Sequence, residues 1–335
     1  MRKDPWGNSF DEKKAAKEKR RQIEAANKML IPAPKKTIKS MGLLSFDPSG
    51  TFRFAGGRWL KLYEVTGSID EAVATAQMLK SRMRISIKYV PEKGDEVSKK
   101  AYISLMTSGE IYEDVRLLFK KDEEALQEMI GVRPLAVDEA IEVILSQLGT
   151  DRSFSYASFV RARRDLLKEI SPVISGQRDH FQIEGTFGMS LFVKEYPIDT
   201  KEEAFSMLTK LGCPVFVTFD LVSINASDKE DYIRTLERRY ARALSAEKIN
   251  DFINISCQIS FLCDSLDALK IIAKTTGTIF SRAGYVIAPM YSRQEESFLS
   301  QISLGLTDLK VLRNKDVDQV ADLFRREYGS NKDKI

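Results

Sequence analysis

Three times this sequence runs from a strand-length apolar stretch, through a stretch with helical spacing, into a second strand-length stretch. That repeated grammar limits the possible folds more than any other feature of the chain. The first run is Arg58 to Val65, a helix from about Asp70, and Arg84 to Val90. Its helix places Ala72, Ala76, Leu79 and Met83 at helical spacing behind the capping-box pattern Ser68-Ile69-Asp70-Glu71. The second is Phe187 to Tyr196, a helix from Thr200-Lys201-Glu202-Glu203 through Leu211, and Pro214 to Ile224. The third is Phe252 to Cys263, Leu266 to Arg282, and Gly284 to Pro289. A hairpin precedes them, Leu43–Phe46 and Thr51–Phe54 around the turn Asp47-Pro48-Ser49-Gly50. A further alternating strand is expected at Ala101–Thr107. Helices are expected at Ile111–Ile130, Val137–Leu148, Tyr156–Ile170, Ser227–Lys248, Ser292–Ile302 and Asp316–Arg326.

This pattern predicts an α+β protein of two lobes, built of strand–helix–strand, ferredoxin-like units with mixed sheets and long flanking helices. A length of 335 residues fits two domains at about 150 residues each. The expected division is a basic, disordered arm at 1–38, an N-terminal lobe at 39–150, a C-terminal lobe at 151–328 and a tail at 329–335. The helical stretch Ile111–Ile170 is expected to separate the lobes.

Charge sets the arm apart. Residues 1–40 hold 12 Lys and Arg against 5 Asp and Glu, whereas the remaining 295 hold 40 against 43. Ile31-Pro32-Ala33-Pro34 stops any helix there. The arm reads either as a solvated tail or as a contact for anionic lipid, an acidic partner or nucleic acid. No secretion signal is read at the N-terminus, and no window of about 18 uninterrupted apolar residues occurs. The nearest approaches are broken by Asp220 in one strand and by Asn254, Ser256, Gln258 and Ser260 in another. The expected location is cytoplasmic, or peripheral on the inner face of the cell membrane.

The residue types needed for most catalysis are missing or wrongly spaced. His180 is the single histidine and lies in a polar loop, Gln177-Arg178-Asp179-His180. Cys213, Cys257 and Cys263 have no partner at CxxC spacing and read as small core residues. The glycines of Gly50 to Gly57 lack the spacing and the Lys-Ser/Thr ending of a phosphate loop, and they lie between strands. Neither GxGxxG after a strand nor GxSxG occurs. Asp138, Glu139 and Glu142 read as the solvated face of an amphipathic helix. The expectation is therefore no catalytic residue, no cofactor and no metal.

Two arginine-rich helix faces stand out. Arg234, Arg238 and Arg242 recur at i, i+4 and i+8, with Arg239 beside them. Opposite them, Ile233, Leu236, Tyr240, Ala243 and Leu244 form an apolar stripe. Arg161, Arg163 and Arg164 mark the other helix. Each reads as a solvated face or as a docking face for an acidic partner or nucleic acid, and Arg234, Arg238 and Arg242 are the candidate docking residues.

Beyond these readings, Phe187-Gly188-Met189-Ser190-Leu191-Phe192-Val193-Lys194-Glu195-Tyr196-Pro197 resembles the strand ending in Tyr-Pro of the CagE/TrbE/VirB family. These are the large conjugation ATPases of type IV secretion systems. The following segments are similar in order: Pro214–Ile224, a long charged helix, Ile255–Cys263 running into Asp264-Ser265-Leu266, and Gly284–Pro289. Gln294 to Gly305 resembles the segment leading to that family's motor domain, with Ser303 where the family usually has proline. Gly56-Gly57-Arg58-Trp59-Leu60-Lys61 resembles an early strand of the family. The resemblance spans roughly Lys39 to Phe324 and concerns the non-motor region alone; the family's motor domain would begin near Tyr328-Gly329-Ser330. It implies a non-catalytic assembly or docking component of a conjugative apparatus. Its implied partners are a motor ATPase subunit, inner-membrane channel components and further copies of itself. A split subunit of that ATPase, active only with its motor half, and a basic nucleic-acid-binding accessory protein are the alternatives.

Overall fold

The computed structural model describes residues 17–19, 21–22, 31–32, 43–92, 97–149, 153–162, 174–197, 203–224, 252–303 and 311–329. The chain runs β1 (Ile31–Pro32), β2 (Leu43–Phe46), β3 (Thr51–Phe54), β4 (Arg58–Val65), α1 (Ala72–Met78), β5 (Arg82–Pro91), β6 (Val97–Ser108), α2 (Tyr112–Met129), β7 (Val132–Pro134), α3 (Val137–Gln147) and α4 (Tyr156–Ala162). It continues with β8 (Ile174–Gly176), β9 (Phe181–Ile183), β10 (Thr186–Glu195), a 3-10 turn (Ser206–Leu211), β11 (Val215–Ser223), β12 (Phe252–Cys263), α5 (Leu266–Arg282), β13 (Val286–Pro289), α6 (Gln294–Gln301), β14 (Arg313–Asp316) and α7 (Val317–Tyr328).

The strands form one sheet in the order β1-β2-β3-β4-β6-β5-β11-β12-β10-β9-β8, with β7 also on β4, β13 on β10 and β14 on β12. The protein is thus α+β with a large sheet and several helices. The expected mixed sheet is corrected: every pairing among the described residues is antiparallel. The reason lies in the crossovers. The turn through α1 makes β4 and β5 run the same way, but β6 enters between them and opposes both.

The same arrangement occurs twice. β4, α1, β5, β6, α2 and β7 give the spatial order β7-β4-β6-β5. β10, the 3-10 turn, β11, β12, α5 and β13 give β13-β10-β12-β11. The two sets meet where β5 and β11 pair, Met83 opposite Leu221 through Tyr89 opposite Val215. Strand pairing therefore crosses the lobe boundary expected near residue 150.

Side-chain alternation gives the sheet two unlike faces. One face presents Trp59, Tyr63, Ile85, Ile103, Val217, Phe219, Ile255 and Ile259 to α1, α2, α5 and α7 in a single apolar core. The other carries β2, β3, α3, α4 and α6 over a second core that includes Phe46, Leu62, Ile141, Phe216 and Phe298. Local chemistry sets the elements. Asp47 closes the β2–β3 turn by accepting from the Ser49 hydroxyl at 2.7 Å and the Thr51 N–H at 2.9 Å, and the Tyr112 hydroxyl also donates to it. Ser265 caps α5 by accepting from the Ala268 N–H.

Three local expectations change. The helix expected from about Asp70 is only Ala72–Met78, its N-cap is Glu71, and Met83 is a buried strand residue of β5. Ser68 accepts from the Asp70 N–H and donates to the Tyr328 carbonyl, so no capping box forms there. The helix expected through Leu211 is a 3-10 turn over Ser206–Leu211, ended by Gly212 in the left-handed region. Thr200, Lys201 and Glu202 of the expected capping box lie outside the described residues, and Glu327 from α7 accepts the N–H groups of Ala204, Phe205 and Ser206 at 3.0, 3.1 and 3.3 Å. Finally, Ile31–Pro32 of the basic arm joins the sheet opposite Phe46 and Ser45.

The loop from β4 to α1 lies directly on the loop from α2 to β7. Thr66 and Gly67 donate to the Gly131 carbonyl and Ser68 donates to that of Ile130. A Cβ at Gly67 would stand 2.2 Å from the Ile130 carbonyl oxygen. Gly67→Ala is therefore expected to lower stability by roughly 1–3 kcal/mol through overpacking against backbone. A urea midpoint unchanged from wild type would contradict this close approach.

Candidate functional site

The feature with the most chemistry is a buried polar layer on the second face of the sheet, centred on the β5–β11 seam. Period-two alternation builds it. Arg84 and Ser86 on β5, Thr218 and Asp220 on β11, and Ser256, Gln258 and Ser260 on β12 all point to this face and are buried. Register then aligns them in rows: Ser104, Arg84, Asp220 and Ser256 are successive cross-strand partners.

Arg84 and Asp220 form a two-pronged ion pair, Nε to Oδ1 at 2.8 Å and Nη2 to Oδ2 at 3.0 Å. Both residues are at most 3% exposed. Arg82 Nη2 stands 3.3 Å from Oδ2, and the Ser256 hydroxyl donates to the same oxygen at 3.1 Å. Burial alone would raise the Asp220 carboxyl. The charges of Arg84 and Arg82 and the donated hydrogen bonds outweigh it, and the carboxyl is held below the usual range.

The remaining guanidinium nitrogen of Arg84 faces the chain leaving α6. Nη1 donates to the Ser300 carbonyl at 2.5 Å, with the Ile302 carbonyl at 3.5 Å. Thr218 donates to the Gln301 carbonyl at 3.0 Å and Ser104 to that of Ser303 at 2.7 Å. Gln147, at the end of α3, accepts the Ser303 N–H and donates to its hydroxyl, each at 2.7 Å. Gln258 accepts from the Ser297 and Ser300 hydroxyls. At the other end of α6, the Gln294 amide bonds both the N–H and the carbonyl of Ser190. It does so where the outer edge of β10 is left between β9 and β13. Residues 294–303 are thus a strap tied across both strand sets by these hydrogen bonds, with Phe298, Leu299 and Ile302 as apolar anchors.

The residues singled out in the sequence fall elsewhere. Arg234, Arg238 and Arg242 lie outside the described residues, as do Arg163 and Arg164. Ser223 and Ile253, on β11 and β12, are register partners. Arg161 is exposed on α4. His180 bonds Asp179 at 2.8 Å and lies beside the Phe187 ring, a satisfied loop histidine. Gly50, Gly56 and Gly57 have positive φ in turns between strands. Of the acidic residues on α3, Asp138 accepts the Tyr156 N–H. Glu139 accepts the Ala136 N–H and pairs with Arg133, so neither is merely solvated. Among the described residues no group of three or more His, Cys, Asp and Glu could hold a metal ion. No helix there is long and apolar enough to cross a membrane.

In the sequence the polar layer shows only as interruptions: Asp220, Ser256, Gln258 and Ser260 break two apolar stretches, and the period of two in β12 is the signal that its polar residues share one face.

No family model and no curated protein matches the chain. Among solved structures it is similar to that of GilR with pregilvocarcin, described as an oxidoreductase of the terminal step of gilvocarcin biosynthesis. That match has a TM-score of 0.25 and 9% identity, and covers 72% of this chain and 47% of the other, about half its length. A likeness this weak carries no argument.

Proposed function

We propose that this chain is a non-catalytic assembly and docking component of a conjugative type IV secretion apparatus. In this reading it is akin to the non-motor region of the CagE/TrbE/VirB ATPases, at the inner face of the cell membrane. Each half is read as a ferredoxin-like lobe; the spatial orders β7-β4-β6-β5 and β13-β10-β12-β11 support that. The observation that carries the proposal is the strap. Gln294 to Ser303 lies within the segment that resembles the family's lead into its motor domain, and it is tied to both strand sets through Arg84, Ser104 and Thr218 and to α3 through Gln147. A motor joined there, in the same chain or a separate one, would be coupled to both halves at once. Ser303 departs from the family's proline, and it uses the N–H that proline lacks. The Arg84 and Asp220 charges satisfy each other and the strap, which suits a scaffold better than an acid–base site.

The expected partners are the motor ATPase and inner-membrane channel proteins, with Arg234, Arg238 and Arg242 as the docking residues. Tagged protein recovered from cells carrying the whole transfer element should bring the motor ATPase with it. Reversing the three arginines to Glu should cut that recovery about tenfold with an unchanged melting temperature, since charges at the rim of an interface act mainly on association. Recovery of no transfer protein would overturn the assembly reading. ATP turnover by the isolated chain that survives further purification would favour the split-ATPase alternative. Salt-sensitive DNA binding without a protein partner would favour the nucleic-acid one.

A further inference from the structure

Cys213 and Cys263 lie 50 positions apart in sequence, yet the β11–β12 ladder brings them face to face. Val215 pairs with Phe261, and the Leu262 N–H donates to the Pro214 carbonyl. Continuing that register by one step sets Cys213 opposite Cys263. Because Pro214 and Leu262 are the hydrogen-bonded pair, the cysteines occupy the next, non-hydrogen-bonded position. There Cα atoms come within about 4.5 Å and side chains approach most closely. That spacing lies inside the range a disulfide spans. Both side chains point to the apolar face, Cys263 buried in its core and the half-buried Cys213 packed against it.

We propose that Cys213 and Cys263 form an oxidisable cross-strand dithiol, a site of thiol–disulfide exchange with a small disulfide such as oxidised glutathione. The half-buried Cys213 is the entry point. Its thiolate attacks one glutathione sulfur, the glutathione S–S bond breaks, and one glutathione thiolate leaves. The Cys263 thiolate then attacks Cys213 Sγ and expels the second glutathione thiolate. Two protein thiols are oxidised, one glutathione disulfide is reduced to two thiols, and the two protein protons end on them. Burial holds both thiols above the ordinary cysteine range, and hydrogen bonding to Cys263 adds to the rise at Cys213, which reaches about 12. The pair is therefore a resting dithiol near neutral pH, and its oxidation accelerates as the solution is made alkaline. Cys257, also buried in the core, has register partners Phe219 on β11 and no cysteine opposite it. This inference is independent of the assembly reading.

The test is native full-length protein treated with oxidised glutathione at pH 7 and 9, quenched in acid and read by intact mass and peptide mapping. The expected product is about 2 Da lighter, with one Cys213–Cys263 crosslink, faster formation at pH 9 and Cys257 still free. Cys213→Ser and Cys263→Ser should each abolish the internal crosslink, and Cys257→Ser should leave it. A glutathione adduct that persists on Cys213, a crosslink through Cys257, a disulfide between two chains, or no reaction would each overturn the proposal.

Discussion

Asp220→Ala is expected to lower stability by roughly 3–5 kcal/mol, because it leaves a buried guanidinium without its counter-charge. Arg84 lies next to the removed carboxylate and is 2% exposed, and Arg82 loses the same partner. The Ser256 hydroxyl loses its acceptor as well. Urea denaturation should show the loss as a shifted midpoint with the slope nearly unchanged. Arg84→Met combined with Asp220→Leu should recover much of it, since an apolar pair of similar volume often replaces a buried ion pair at little cost. Recovery should be incomplete, because Arg84→Met takes away the donor to the Ser300 and Ile302 carbonyls. The pH dependence has a definite sign. A carboxyl depressed in the folded state contributes stability that is present above the usual carboxylate range and is lost as pH falls through the folded value. Asp220→Asn should therefore flatten the acid limb of the stability profile. A midpoint of Asp220→Ala equal to wild type would remove the ion pair from any role in holding the seam.

Phe205→Ala is expected to cost about 3–5 kcal/mol, in the range for emptying a fully buried phenylalanine site. The Phe205 ring is fully buried, with the Phe280 ring centroid at 5.0 Å, Phe219 at 5.2 Å, Tyr285 at 5.8 Å and Tyr328 at 6.3 Å. Those partners come from β11, α5, α7 and the loop before β13, so one truncation loosens four parts of the core. Phe205→Leu should lose clearly less, because it keeps most of the apolar contact. Near-equal melting temperatures for the Ala variant and wild type would show that this cluster can close over the gap.

The strand–helix grammar was legible because it is local. β4 and β12 start and stop where apolar alternation does, and α5 lies between Ser265 and Gly284 as its cap and glycine indicate. Where a distant group intervened, local rules failed. Leu79 and Met83 continue the helical spacing of α1, but the buried carboxylate of Asp122 accepts the N–H groups of Lys80 and Ser81 and turns the chain into β5. The 3-10 turn before β11 is held by Glu327, more than a hundred residues away.

The α+β class and the alternation along β4, β5, β6 and β11 can be read from the chain, because propensity and period act over a few residues, whereas the short strands β1, β7, β8 and β14 cannot. The chain also held the polar period of two in β5, β11 and β12. What those residues meet depends on the folded chain. Antiparallel pairing of β5 with β11 sets Arg84 opposite Asp220, lines up Ser104 and Ser256 with them, and leaves one guanidinium nitrogen for the strap. Register is a long-range quantity, fixed by burying one face of each strand, and no short stretch of sequence encodes which strand will lie alongside.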